Sequence, residues 1–165
     1  MLQNIINPIL NGFRLSIFTF LFSVILDFSV SRETLLNSLN KNPQLYIKGM
    51  QANIINLFIL SPLYYIFLDL LFFDHNTNNL DILKYVSLTV THNILYFLGH
   101  KAMHKVKYLN TFHDFHHEFN ITIPSNGNAV SISEYNFAYV LPFVIGIMLF
   151  KPNSITLNAS VFTIS

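Results

Sequence analysis

Five of the seven histidines in this 165-residue chain fall between His100 and His117. The first pair, His100 and His104, is separated by Lys-Ala-Met; after a spacer come His113, His116 and His117. On a helix, residues four apart differ by only about 40° around the axis, so both imidazoles of the first pair project from one face. His113, His116 and His117 repeat this at i, i+3 and i+4. Two helical faces thus each carry nitrogen donors. Cysteine is absent, so no thiolate competes and no disulfide forms. Neutral imidazole is the commonest metal ligand and suits iron, zinc and copper. The expected chemistry is a metal site of one or two ions with His100, His104, His113, His116 and His117 as ligands. A single histidine on an apolar helix is more often a packed core or interface residue. His75 and His92, outside the cluster, are read that way.

The elements that must position these ligands are apolar. Hydrophobic residues make up 52% of the chain and charged residues 10%, against about a quarter charged in soluble domains. That is too little charge to cover a soluble globule, and the length suits one domain, residues 1–165. The net charge of +1 and the lack of a basic patch interleaved with aromatics argue against a nucleic-acid partner. The start of the chain lacks the basic region and small-residue cleavage site of a secretory signal.

Four apolar runs predict an all-α integral membrane bundle of about four transmembrane helices. The first, Ile9 to Val30, holds Arg14 and Asp27 near its ends and is long enough to span a bilayer. Residues 31–51 are polar, broken at Asn42-Pro43, and suggest a short interfacial helix. The second run, Ala52 to Phe73, contains Pro62, which kinks rather than forbids a span, and Asp69, read as lying near the interface. The loop Asp74 to Asp81 is Asn-rich and acidic. The third run, Leu80 to Gly99, ends in the first histidine pair. Asn93, Tyr96, His100 and His104 share one stripe of it, which makes Asn93 a candidate to orient an imidazole. Asn110-Thr111 is placed to cap a second histidine helix starting near Phe112. Asp114 and Glu118 are further candidates to hold imidazole N–H groups. A loop follows from Ile121 to Asn128. The last run, Tyr135 to Phe150, is broken by Pro142 and Gly146, and a short β-branched and apolar tail runs to Ser165.

Lys and Arg concentrate in residues 31–51 and at Lys101, Lys105 and Lys107, whereas the 74–81 loop carries only acids. The positive-inside rule then puts the first loop and the histidines on the cytosolic side, as a histidine-rich helical cap.

Asn93-Ile-Leu-Tyr-Phe-Leu-Gly-His100-Lys-Ala-Met-His104, followed by Phe112-His113-Asp-Phe-His116-His117-Glu118-Phe119, resembles the fatty acid hydroxylase and sterol desaturase superfamily of integral membrane di-iron oxidases. The tandem boxes with Glu-Phe behind them carry the resemblance. It implies two iron ions, molecular oxygen, and electrons from NAD(P)H through a b-type cytochrome or reductase. It also implies a fatty acyl or sterol substrate that is hydroxylated or desaturated, in the endoplasmic reticulum. The chain departs from the family pattern at three points. No histidine follows His117, so a third box is missing. The acid upstream of the first box is Asn93. The segment Ala129-Val-Ser-Ile-Ser-Glu134 keeps a glutamate but no histidine. A truncated, split or decayed family member is therefore the alternative expectation: a membrane scaffold binding one metal ion or none. Assembly of the site from an oligomer is left open. A histidine-based metal transporter ranks lower, because its ligands would lie deep within several helices. A soluble zinc hydrolase would want His-Glu-x2-His, which is absent.

Overall fold

The computed structural model describes residues 3–77, 79–119, 123–127 and 129–164, and every regular element among them is helical. In α1, Gln3–Ser29, the buried side is Pro8, Gly12, Leu15, Ser16, Thr19, Ser23 and Asp27. The outward side is Phe13, Ile17, Phe18, Leu21, Phe22, Ile25 and Phe28. Apart from Leu15, which packs into the core, large apolar residues face out and small or polar ones face in. A water-soluble helix does the reverse; a helix in lipid gains nothing by hiding leucine and gains close approach from small residues.

The partner of this stripe is α3, Pro43–Phe72. At Gly12 a Cβ would come within 3.0 Å of the Pro62 backbone, so the two helices touch where the side chain is missing. A short helix, α2 (Arg32–Lys41), links them across the polar 31–51 region. Asn42 ends it and caps α3, its side chain accepting from the Leu45 N–H at 3.0 Å, with Pro43 in the first turn. Two further long helices complete the bundle, α4 (Ile82–Lys105) and α6 (Ile132–Phe150). Gly146 of α6 is the contact point, since a Cβ there would lie 2.5 Å from Leu88 of α4.

α3 and α6 share a local device. Each widens to a π-turn, Asn56–Leu60 and Tyr135–Val140, ahead of a proline, Pro62 and Pro142. The Ser61 N–H bonds Asn56 O, and the Leu141 N–H bonds Asn136 O. Proline lacks a donor and its ring crowds the carbonyl four residues back. Opening the ladder by one residue relieves that crowding without ending the helix.

Three helices are long and apolar enough to cross a membrane: α1 over Ile6–Ser29, α3, and α6. The third expected apolar run lies in α4, which has 24 residues but carries Lys84, Lys101 and Lys105. Two local expectations change. The second histidine helix, α5, runs from Lys107 to His117, not from Phe112. The chain breaks at Val106 (φ −99°, ψ 111°) and resumes helix at once, so Asn110 sits in the second turn and bonds Asp114 instead of capping. The apolar tail is a helix too, α7 (Ser154–Ile164), packed against α4 and α1. Asp69, 5% exposed and three residues from the end of α3, has its carboxylate 3.9 Å from His75 Nε2.

The core joins α1, α3, α4, α6 and α7 through Leu15, Tyr65, Leu68, Leu88, Ile147 and Leu157. Beside it lies an apolar cleft between α1, α3, α6 and α7. Tyr64, Tyr65, Tyr135, Tyr139 and Phe143 are among its walls.

Candidate metal centre

α4 and α5 meet at a sharp corner at Val106, which brings the two histidine faces together. His100 and His104, one turn apart, place their Nε2 atoms 3.2 Å from each other. Two imidazoles binding one ion at about 2.0–2.1 Å must sit about 3.0–3.4 Å apart. From α5, the His113 ring centroid lies 4.5 Å from His100 and 4.8 Å from His104. One nitrogen from each of His100, His104 and His113 falls within 4.8 Å of the others, a spacing at which the three could hold a metal ion. His117 closes the group from the solvent side, with ring centroids 5.0 Å from His104 and 4.4 Å from His113. His116 stacks on His113 at 5.2 Å and turns farther from the other rings.

His113 is completely buried. Its Nδ1 lies 2.6 Å from Glu134 Oε1; in the tautomer that binds metal through Nε2, the Nδ1–H donates to the carboxylate and the lone pair is on Nε2. That Nε2 is buried with no hydrogen-bond partner. A buried nitrogen lone pair without a donor is costly unless something electrophilic meets it. Burial first, then the neighbouring His100, His117, His116 and His104 rings, push the His113 imidazole down to about 3. Burial and the same crowd of rings lower His116. Both are thus neutral near pH 7, the form that binds metal.

Glu134 arrives through a tertiary contact. Ser131 begins α6, its Oγ accepting from the Glu134 N–H at 3.1 Å while its own O–H donates to the Phe112 carbonyl at 2.6 Å. This is the start of a Ser-x2-Glu capping box, but the glutamate side chain goes to His113 instead of returning to its own cap. Sequence reasoning kept Glu134 only as a remnant of a family segment; the Ser131-x2-Glu134 spacing was the signal that marked its helix start.

The other candidates lie elsewhere. Asn93 is exposed and donates to the Thr89 carbonyl of its own helix at 2.8 Å. Asp114 accepts from Asn110 at 2.8 Å on the outer face of α5. Glu118 is exposed. Among the described residues, Glu134 is the carboxylate that reaches a histidine of the cluster. His92 is buried beneath the site, its ring 4.1 Å from Phe143 and stacked at 6.2 Å on Tyr96. Tyr96 in turn stacks at 5.6 Å on His100 and meets Tyr139 at 5.2 Å. One tyrosine ring therefore separates His100 from Tyr139 in the wall of the apolar cleft.

The histidines, a carboxylate-held imidazole and an adjoining apolar cleft form one continuous arrangement at one end of the bundle. No protein-family model, curated protein or solved structure matches the chain.

Proposed function

We propose that this protein is a membrane-bound, histidine-ligated iron oxygenase of lipid metabolism, acting on a fatty acyl or sterol substrate by hydroxylation or desaturation. The observation that carries the reading is the cluster of His100, His104 and His113 nitrogens within 4.8 Å, one ring away from an apolar cleft in the bundle. Iron with O2 would supply the oxidising power that no side chain has against an inert C–H bond. The chain's residues do the rest. His100, His104, His113 and His117 hold the metal. Glu134 keeps the proton on His113 Nδ1 and so presents Nε2. Leu57, Leu68, Phe143 and Ile147 line a cleft whose apolar walls suit an acyl chain. The electron donor implied is a b-type cytochrome or its reductase, fed by NAD(P)H.

Six of the nine Lys and Arg residues support a cytosolic placement of the histidine end; the endoplasmic reticulum is the membrane this reading assigns from the resemblance alone. Arg32, Lys41, Lys48, Lys101, Lys105 and Lys107 belong to the end of the bundle that holds the histidines. In this reading α4 is the fourth span, sheltered by α6 and α7.

A second reading has its own support. Three nitrogens in mutual reach suit a single ion. A metal-binding scaffold without oxygenase chemistry would look the same. Elemental analysis of the detergent-purified chain, beside a His113→Ala/His117→Ala variant, separates the two. The oxygenase reading expects at least one iron per chain, lost in the variant, and O2-dependent oxidation of added lipid. Zinc alone, or no bound metal, leaves the scaffold.

A further inference from the structure

Away from the histidines, the 123–127 turn is gripped between α1 and α3. Asp27 of α1 accepts from the Ser125 N–H at 3.0 Å. Asn53 of α3 donates through Nδ2 to the Ser125 carbonyl at 2.6 Å. Both groups of one peptide residue are thus taken by side chains from two helices. Asn126 follows directly, and its Oδ1 lies 3.0 Å from where a Cβ on Gly49 would sit, one turn before Asn53 on α3. Asp27, Asn53, Ser125 and Asn126 therefore meet at one junction.

All four are buried: Asp27 is 1% exposed, the other three 0%. Asn53 Oδ1, Ser125 Oγ and both amide atoms of Asn126 have no hydrogen-bond partner. Among the described residues no Lys, Arg or His is paired with Asp27. A carboxylate withdrawn from water needs a positive partner or a proton. Buried oxygens left without donors are costly, and native proteins carry few of them. This junction gathers several beside a carboxylate that lacks its counter-charge.

We propose that Asp27, Asn53, Ser125 and Asn126 form a binding site for a small monovalent cation, with sodium as the best match. The donors are hard oxygens, which select hard cations over transition metals. There is one carboxylate, and the remaining donors are neutral, so one positive charge balances the site. A divalent ion normally draws on several carboxylates. Membrane proteins build sodium sites in this manner, from side-chain and backbone oxygens at irregular helical segments, and α3 opens to its π-turn at Asn56, just beyond Asn53. The bound ion ties the 123–127 turn to α1 and α3 at the foot of the segment that leads to Ser131 and Glu134.

The test is thermal unfolding of the full chain in detergent, in sodium, potassium or choline chloride at equal ionic strength. A chelator is present throughout, so that the histidine centre is in the same state in every sample. Sodium should raise Tm saturably, potassium less, and choline not at all. Asp27→Asn should abolish the increment. Ser125→Ala, which removes one neutral ligand and keeps the carboxylate, should raise the half-saturating sodium concentration about tenfold. The same Tm in all three salts overturns the proposal and leaves a buried water in the cluster. An increment that survives Asp27→Asn also overturns it, by placing the ion elsewhere. Should Asp27→Asn fail to fold, an unchanged sodium midpoint in Ser125→Ala overturns it equally.

Discussion

His113 is the residue where the two halves of the candidate centre join. It comes from α5, faces the α4 pair His100 and His104, and is held from behind by α6 through Glu134. A carboxylate behind an imidazole fixes the tautomer and raises ligand basicity, and its removal typically weakens metal binding about 10–100-fold. Glu134→Gln is nearly isosteric and keeps an oxygen acceptor, so the helix start at Ser131 should survive. Metal affinity, measured by competition with a chromophoric chelator, should fall within that range while the circular dichroism spectrum is unchanged. The same substitution at Glu118, which is exposed, should leave affinity as it was. If the two variants behave alike, the buried contact does not tune the metal.

Among the elements, the crossing of α1 and α3 shows how a chain with this composition holds together. α1 is long and apolar enough to cross a membrane, and its apolar surface faces outward; for a helix in lipid most of the hydrophobic advantage of association is lost, and packing depends on close approach at small residues. Gly12 sits against Pro62 and Tyr65, with 3.0 and 3.2 Å available to a Cβ. Gly12→Val pushes the helices apart at the backbone of a proline that cannot yield. Overpacking of this kind costs about 1–3 kcal/mol, to be seen as a lower unfolding temperature in detergent. Ile17→Val, on the outward face of the same helix, should leave that temperature unchanged. The β-branched tail belongs to this scale as well. Its residues favour strand by propensity, yet Ser154–Ile164 is helix, because its buried residues Leu157 and Ser160 pack on the bundle and isolated strand would leave its backbone unpaired.

At the scale of the whole molecule, the two ends of the bundle differ. One end gathers the histidines, Glu134 and most of the cations. The other holds Asp74, whose carboxylate lies 3.5 Å from Lys84, and the Asn153 side chain, which donates to Thr77 and to the Asn79 carbonyl. The charge difference predicts orientation. Because the chain has no cysteine, Asn40→Cys and Asn76→Cys give clean single-thiol reporters at opposite ends. In sealed microsomes a membrane-impermeant maleimide should label the first and spare the second until detergent is added; the reverse pattern inverts the topology. The sequence by itself determined the helical class, the apolar spans and the pairing of His100 with His104, because these depend on local spacing along one helix. It placed His113, His116 and His117 on a second helix for the same reason. Which face of α1 is buried, which carboxylate supports His113, and which buried side chains converge on Ser125 were decided only by the tertiary structure. Each depends on residues 20 to about 100 positions apart being brought within 3 Å of one another, and nothing in the local pattern around Asn93, Asp114 or Glu118 distinguished them from Glu134.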